Sequence, residues 1–194
     1  MEIWNGIIRR LHKILERDSR PSERASSISK SDIKISAATQ SKSKKPLEAI
    51  RFYPKPFRKM MEIFARALPN ESIVWLTGTV RKNVGIVRKC WKPKLEFASQ
   101  VDARTDAKWL LNFLENLQRK YPKHNLIIEA HRHPIGSELS SIDENALQGL
   151  TDWNPNFYWL MIACDIPLGC YEFDKTKLHK IKWEIIGDGK KADS

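Results

Sequence analysis

From Leu47 onward the chain alternates between two hydrophobic periods, and this alternation restricts its fold more than any other feature. "SIVWLTGTV" and "VGIVRKCW" are rich in β-branched and aromatic residues and predict two strands. "DARTDAKWLLNFLENLQRKY" predicts a helix, with Leu110, Phe113, Leu114 and Leu117 on one face and Pro122 beyond its end. An earlier helix is expected in "PKPFRKMMEIFARAL", where prolines precede a stripe of Phe57, Met60, Met61, Phe64 and Leu68. "PN" at 69–70 stops it. "NLIIEAH" predicts a further strand. "SSIDENALQGL" opens on a serine with early carboxylates and predicts a short helix. "FYWLMIAC", "GCYEF" and "LHKIKWEII" predict three more strands. Helices interleaved with strands imply a mixed α/β domain, a mixed β-sheet flanked by helices.

Composition divides the chain. From Met1 to Pro46, eleven Lys and Arg stand against five Asp and Glu, so +6 of the formal +11 sits there. Within it, Ile3, Trp4, Ile7, Ile8, Leu11, Ile14 and Leu15 recur at helical spacing and predict an amphipathic helix over 1–18. Residues 19–46 hold nine serines and no aromatic residue, which predicts a basic, flexible linker. The folded domain is expected over 47–187, with a tail at 188–194. The basic segment suits an acidic partner. No nucleic-acid reading motif accompanies it, so no specific nucleic acid is expected. No apolar run approaches the ~20 residues of a membrane-spanning helix, so no transmembrane segment is expected. Cys90, Cys164 and Cys170 have neither metal spacing nor an even count for disulfides, which points to a reducing, cytoplasmic compartment.

The densest chemistry lies in "EAHRHPIGSELSSID", Glu129 to Asp143. His131 and His133 are two apart at a strand end, so both imidazoles project to one face and can reach one ion. Asp143 comes after a turn built on Pro134 and Gly136, at the start of the next helix. Two histidines and one carboxylate leave a tetrahedral position open, the pattern of a catalytic zinc site. Ser140 also suits the N-cap of the helix. Glu129 shares the histidines' face. It could partner an imidazole N–H, pair with a nearby Lys or Arg, or act as a general base.

"HRHP" followed by "LSSID" resembles the signature of the JAB/MPN (JAMM) metalloprotease family. The signature has an upstream glutamate, HxHP, a gap one residue longer than the one here, a serine, and an aspartate three residues later. Six residues separate His133 from Ser140 here, so Ser140 with Asp143 or Ser141 with Glu144 can fill the register. "LSSID" favours the former. "PFRKMMEIFARALPNESIVWLTG" matches the family's opening helix and strand, with Glu71 as its glutamate and Gly78 in its glycine segment. The resemblance covers about 47–186. It implies a JAB/MPN-like fold with cytidine-deaminase-like layering and one zinc per chain on His131, His133 and Asp143. It implies Glu71 as general base, Ser140 as oxyanion donor, and isopeptidase or peptidase action on the C-terminal tail of a ubiquitin-like protein or its conjugate. Two other functions stay open: a non-catalytic JAB/MPN scaffold, and a basic nucleic-acid-binding protein. The retained histidines, aspartate and glutamate speak against the scaffold.

Overall fold

In a computed structural model the chain runs β1 (Ala49–Phe52), α1 (Pro54–Ala67), β2 (Ser72–Arg81), β3 (Val84–Trp91), β4 (Leu95–Ala98) and β5 (Ala103–Thr105). Then come α2 (Ala107–Lys120), β6 (Leu126–Arg132), α3 (Ser141–Trp153), β7 (Tyr158–Ala163), β8 (Gly169–Asp174), β9 (Lys177–Lys180) and β10 (Lys182–Ile185). The structure describes residues 44–100, 102–133, 139–154, 156–163, 169–174 and 177–187. All of them but Lys44 belong to one compact unit that begins at Lys45. The expected 1–18 helix, almost all of the 19–46 linker, the 188–194 tail, Cys164 and the Pro134–Gly136 turn lie outside the described residues.

The fold is mixed α/β around a large, nearly closed sheet of order β10-β1-β3-β2-β6-β7-β8-β9. The single run "LHKIKWEII", expected as one strand, brings its two ends together. β9 pairs antiparallel with β8, and β10 pairs parallel with β1. Ile181 separates them, buried, with its N–H donating to the Cys170 carbonyl at 2.8 Å. The chain changes partners at that residue, which is why one strand becomes two. The Leu47 N–H adds a bond of 2.8 Å to the Glu172 carboxylate, tying the start of the domain to β8.

Central strands bury both faces, and β2 is buried from Ser72 to Gly78. Its even-numbered Val74 and Leu76 join Ile50, Phe52, Leu126 and Ile128 on the inner face, against Met60 and Phe64 of α1. Its odd-numbered Ile73 and Trp75 join Ile127, Trp159 and Met161 on the outer face, against Phe113 and Leu117 of α2 and Leu147 of α3. Full burial of side chains such as Phe64 contributes about 1.5–3 kcal/mol each. The α1 stripe is narrower than expected, because Met61 and Leu68 are exposed while Met60 and Phe64 are buried. β2 and β3 form a hairpin through Lys82 and Asn83, both at positive φ (48° and 61°), a twist that matches right-handed strands. At Gly78 the β2 register shifts, and its Cα faces the Ile86 carbonyl so closely that a Cβ would overlap it.

The helix expected from Asp102 begins instead at Ala107. Asp106 caps it, accepting the Trp109 N–H at 2.8 Å, and Ala103–Thr105 pair with β4.

Candidate metal centre

The outer face of β6 ends in Glu129, His131 and then His133, in the alternation that the spacing predicts. β2 runs antiparallel beside it with Ser72 opposite Arg132 and Ile73 opposite His131. One step further, Glu71 falls in line with His133. Its N–H donates to the Ser99 carbonyl at 2.6 Å, and the residue is only 8% exposed. α3 then brings Asp143 onto the same point. Its first turn is a capping box: the Ser140 Oγ accepts the Asp143 N–H at 3.2 Å, and the Asp143 carboxylate accepts the Ser140 N–H at 2.8 Å. The Ser140 hydroxyl also donates to Asp143 Oδ2 at 2.6 Å, which fixes that carboxylate's rotamer.

Asp143 Oδ2 lies 3.5 Å from His133 Nε2 and 3.7 Å from His131 Nε2, and Glu71 Oε1 lies 3.4 Å from His133 Nε2. Ligand atoms of Glu71, His131 and His133 all lie within 4.8 Å of one another, so this group could hold a metal ion. Asp143, close to both imidazoles, belongs beside it. Tetrahedral ligands about 2.0–2.1 Å from a metal stand about 3.3 Å apart, within a few tenths of the Asp143 separations. His131 Nε2 is buried and has no hydrogen-bond partner. Buried polar atoms are rarely left so, and a cation among these donors would satisfy it. Burial, opposed by Asp143 and aided by His133, lowers the His131 pKa to about 4. The ring is therefore neutral at neutral pH, as ligation requires.

The carboxylates divide. Burial raises the Glu71 pKa to about 7; His133 opposes this, while Asp143 and Asp102 add to it. Burial also works against ionisation of Asp143, but the His133 and Ser140 hydrogen bonds and the His131 ring outweigh it and hold it below the usual carboxylate range. Glu129 is raised to about 7 by burial, then by Asp143 and Glu71. It approaches His131 Nδ1 at 3.9 Å, too far for a hydrogen bond. Ser141 is exposed, and Glu144 sits in the first turn with its N–H donating to the Ser140 carbonyl. The sequence did not single out Ser99 or Asp102, which act on Glu71 only because β4 and β5 fold back beside it.

Glu129 makes a stability prediction. Its folded pKa of about 7 lies above the ordinary 4.5, so the fold prefers the protonated acid. The cost of ionising it grows as pH rises through that window and is complete above it. In metal-free protein, Glu129→Gln should be more stable than wild type above about pH 8, by at most about 3 kcal/mol. Denaturant unfolding should show the advantage disappear near pH 4.5. An equal difference at both pH values would contradict the assignment.

No protein-family model and no curated protein matches the chain. Among solved structures it is similar to the solution structure of protein DSY2949 from Desulfitobacterium hafniense. The TM-score is 0.52 at 18% identity, over 70% of this chain and 92% of that one. At that identity the likeness speaks to the fold alone. No helix of the described residues is long and apolar enough to cross a membrane.

Proposed function

We propose that the chain is a zinc-dependent isopeptidase or peptidase of the JAB/MPN type, cleaving after the C-terminal tail of a ubiquitin-like protein. The observation that carries this reading is the convergence of Glu71, His131, His133 and Asp143 from the edge of β2, the end of β6 and the first turn of α3. The nearly closed sheet, with α1 on its inner face and α2 and α3 on its outer face, suits JAB/MPN layering.

His131, His133 and Asp143 would hold the zinc, which would supply Lewis-acid chemistry there. Glu71, 3.4 Å from His133 Nε2, takes the proton of the attacking water and returns it to the leaving amine. Ser140 orients Asp143; turned away from it, the hydroxyl donates to the carbonyl oxygen as negative charge develops there. An extended tail, held by main-chain hydrogen bonds, presents the bond to this point. Glycines at the cut let its backbone approach closely.

A set of fusions tests the reading. All share one ubiquitin-like domain ending in Gly-Gly and differ in the residues beyond the glycines; one carries alanine at the cut. Similar rates across leaving groups, a large loss for the alanine fusion, and no cleavage after chelation are expected. Strong preference for one lysine linkage, or indifference to the glycines, refutes it.

A further inference from the structure

The outer face carries a concavity of about 290 Å³, lined by Trp91 of β3, Trp109, Asn112, Phe113 and Lys120 of α2, and Tyr121. Its walls are flat and held in place. Trp109 and Phe113 are stacked at 5.0 Å and 9°, and the Trp91 ring meets both Phe113 and Tyr121 edge-on. The Trp91 indole N–H donates to Thr77 Oγ1 at 3.0 Å, which fixes that ring. Lys89 Nζ stands 4.6 Å over the Tyr121 ring and 5.8 Å over Trp91, and Lys120 is exposed at the rim. Asn112 is exposed on the same helix face. Every lining residue is aromatic, aliphatic, amide or cationic; none is a carboxylate.

From this combination we infer that the cleft binds a nucleoside monophosphate. The volume is at the low end for ligand sites, about 300–1,000 Å³, so it takes one planar ring system with the remainder outside. Aromatic walls offer stacking, which tolerates any base. The Asn112 carboxamide can donate to and accept from a base edge. Lys120, in the lining and exposed, supplies the cation for a phosphate beside the ring. This cleft is separate from the metal ligands: none of Glu71, His131, His133 and Asp143 lines it. The inference therefore stands whether or not the chain is a peptidase.

The test titrates the full chain with AMP, GMP, CMP and UMP, monitored by tryptophan fluorescence, and with adenosine and inorganic phosphate as separate arms. Saturable quenching by at least one monophosphate is expected, with adenosine and phosphate alone each weaker and binding reduced by salt. Trp109→Leu should weaken binding roughly tenfold or more. Lys120→Glu, on the exposed rim, leaves the packing intact and should weaken the monophosphate but not the nucleoside. The inference is overturned if no monophosphate binds in the millimolar range, or if Lys120→Glu binds it as wild type does. Equal affinity for adenosine and AMP would overturn it as well.

Discussion

His131→Ala/His133→Ala protein should be isolated without zinc, and the wild-type chain with about one ion. The variant removes two nitrogen donors whose rings lie 4.6 Å apart and leaves two carboxylates, a poor set for this metal. Elemental analysis of both proteins decides it, and equal zinc in the two would dismiss the site. Single substitutions then separate the overlapping ligand sets. If Asp143 completes the set, Asp143→Ala loses zinc while Glu71→Gln and Glu144→Ala keep it. If Glu71 completes it, the first two results exchange. Metal that binds only the native state also stabilises it, by about 2.7 kcal/mol when free zinc is a hundredfold above Kd. Chelation should therefore lower the Tm of the wild type and leave the double variant unmoved.

How much of this was legible in the sequence depended on the range of the forces involved. β2, β3, β6 and α2 announce themselves, because each has a sustained period that only one local conformation can bury. β1 and the β4–β5 pair do not: segments of three or four residues such as "AIRF" carry too little pattern, and β1 takes its strand character from partners far along the chain. The break at Ile181 leaves only a faint mark, two consecutive polar residues (His179 and Lys180) between Leu178 and Ile181, where the pairing changes. At the site, the shared face of His131 and His133 comes from strand geometry alone, and the Ser140–Asp143 spacing contains its capping box. Glu71 is different. As a sequence feature it is a carboxylate after a helix, and only the β2–β6 register sets it beside His133 and buries it. The aromatic cleft was equally hidden, because Trp91 and Trp109 reach it from two elements, each packing on Phe113, and neither has a motif around it.

That burial of Glu71 gives the second large effect. Glu71→Gln should lower kcat by about 10²–10⁴-fold, the usual contribution of a general base, with KM little changed and the fold intact. Glutamine keeps the shape and cannot take a proton. The wild-type rate should rise with pH as the carboxylate ionises. In metal-free protein that titration falls near pH 7; a bound cation would favour the ionised form, so the acid limb of the proposed zinc-bound form should lie lower. Glu129 is the competing base, with a pKa raised to a similar value. Geometry separates the two acids. Glu129 approaches the Nδ1 side of His131, whereas Asp143 approaches its Nε2. The imidazole ring therefore stands between Glu129 and the point where His131, His133 and Asp143 meet. Glu71 reaches that point directly, 3.4 Å from His133 Nε2. Glu129→Gln should accordingly keep most of the activity. An inactive Glu129→Gln beside an active Glu71→Gln would reverse the assignment and require the ring of His131 to swing aside during turnover.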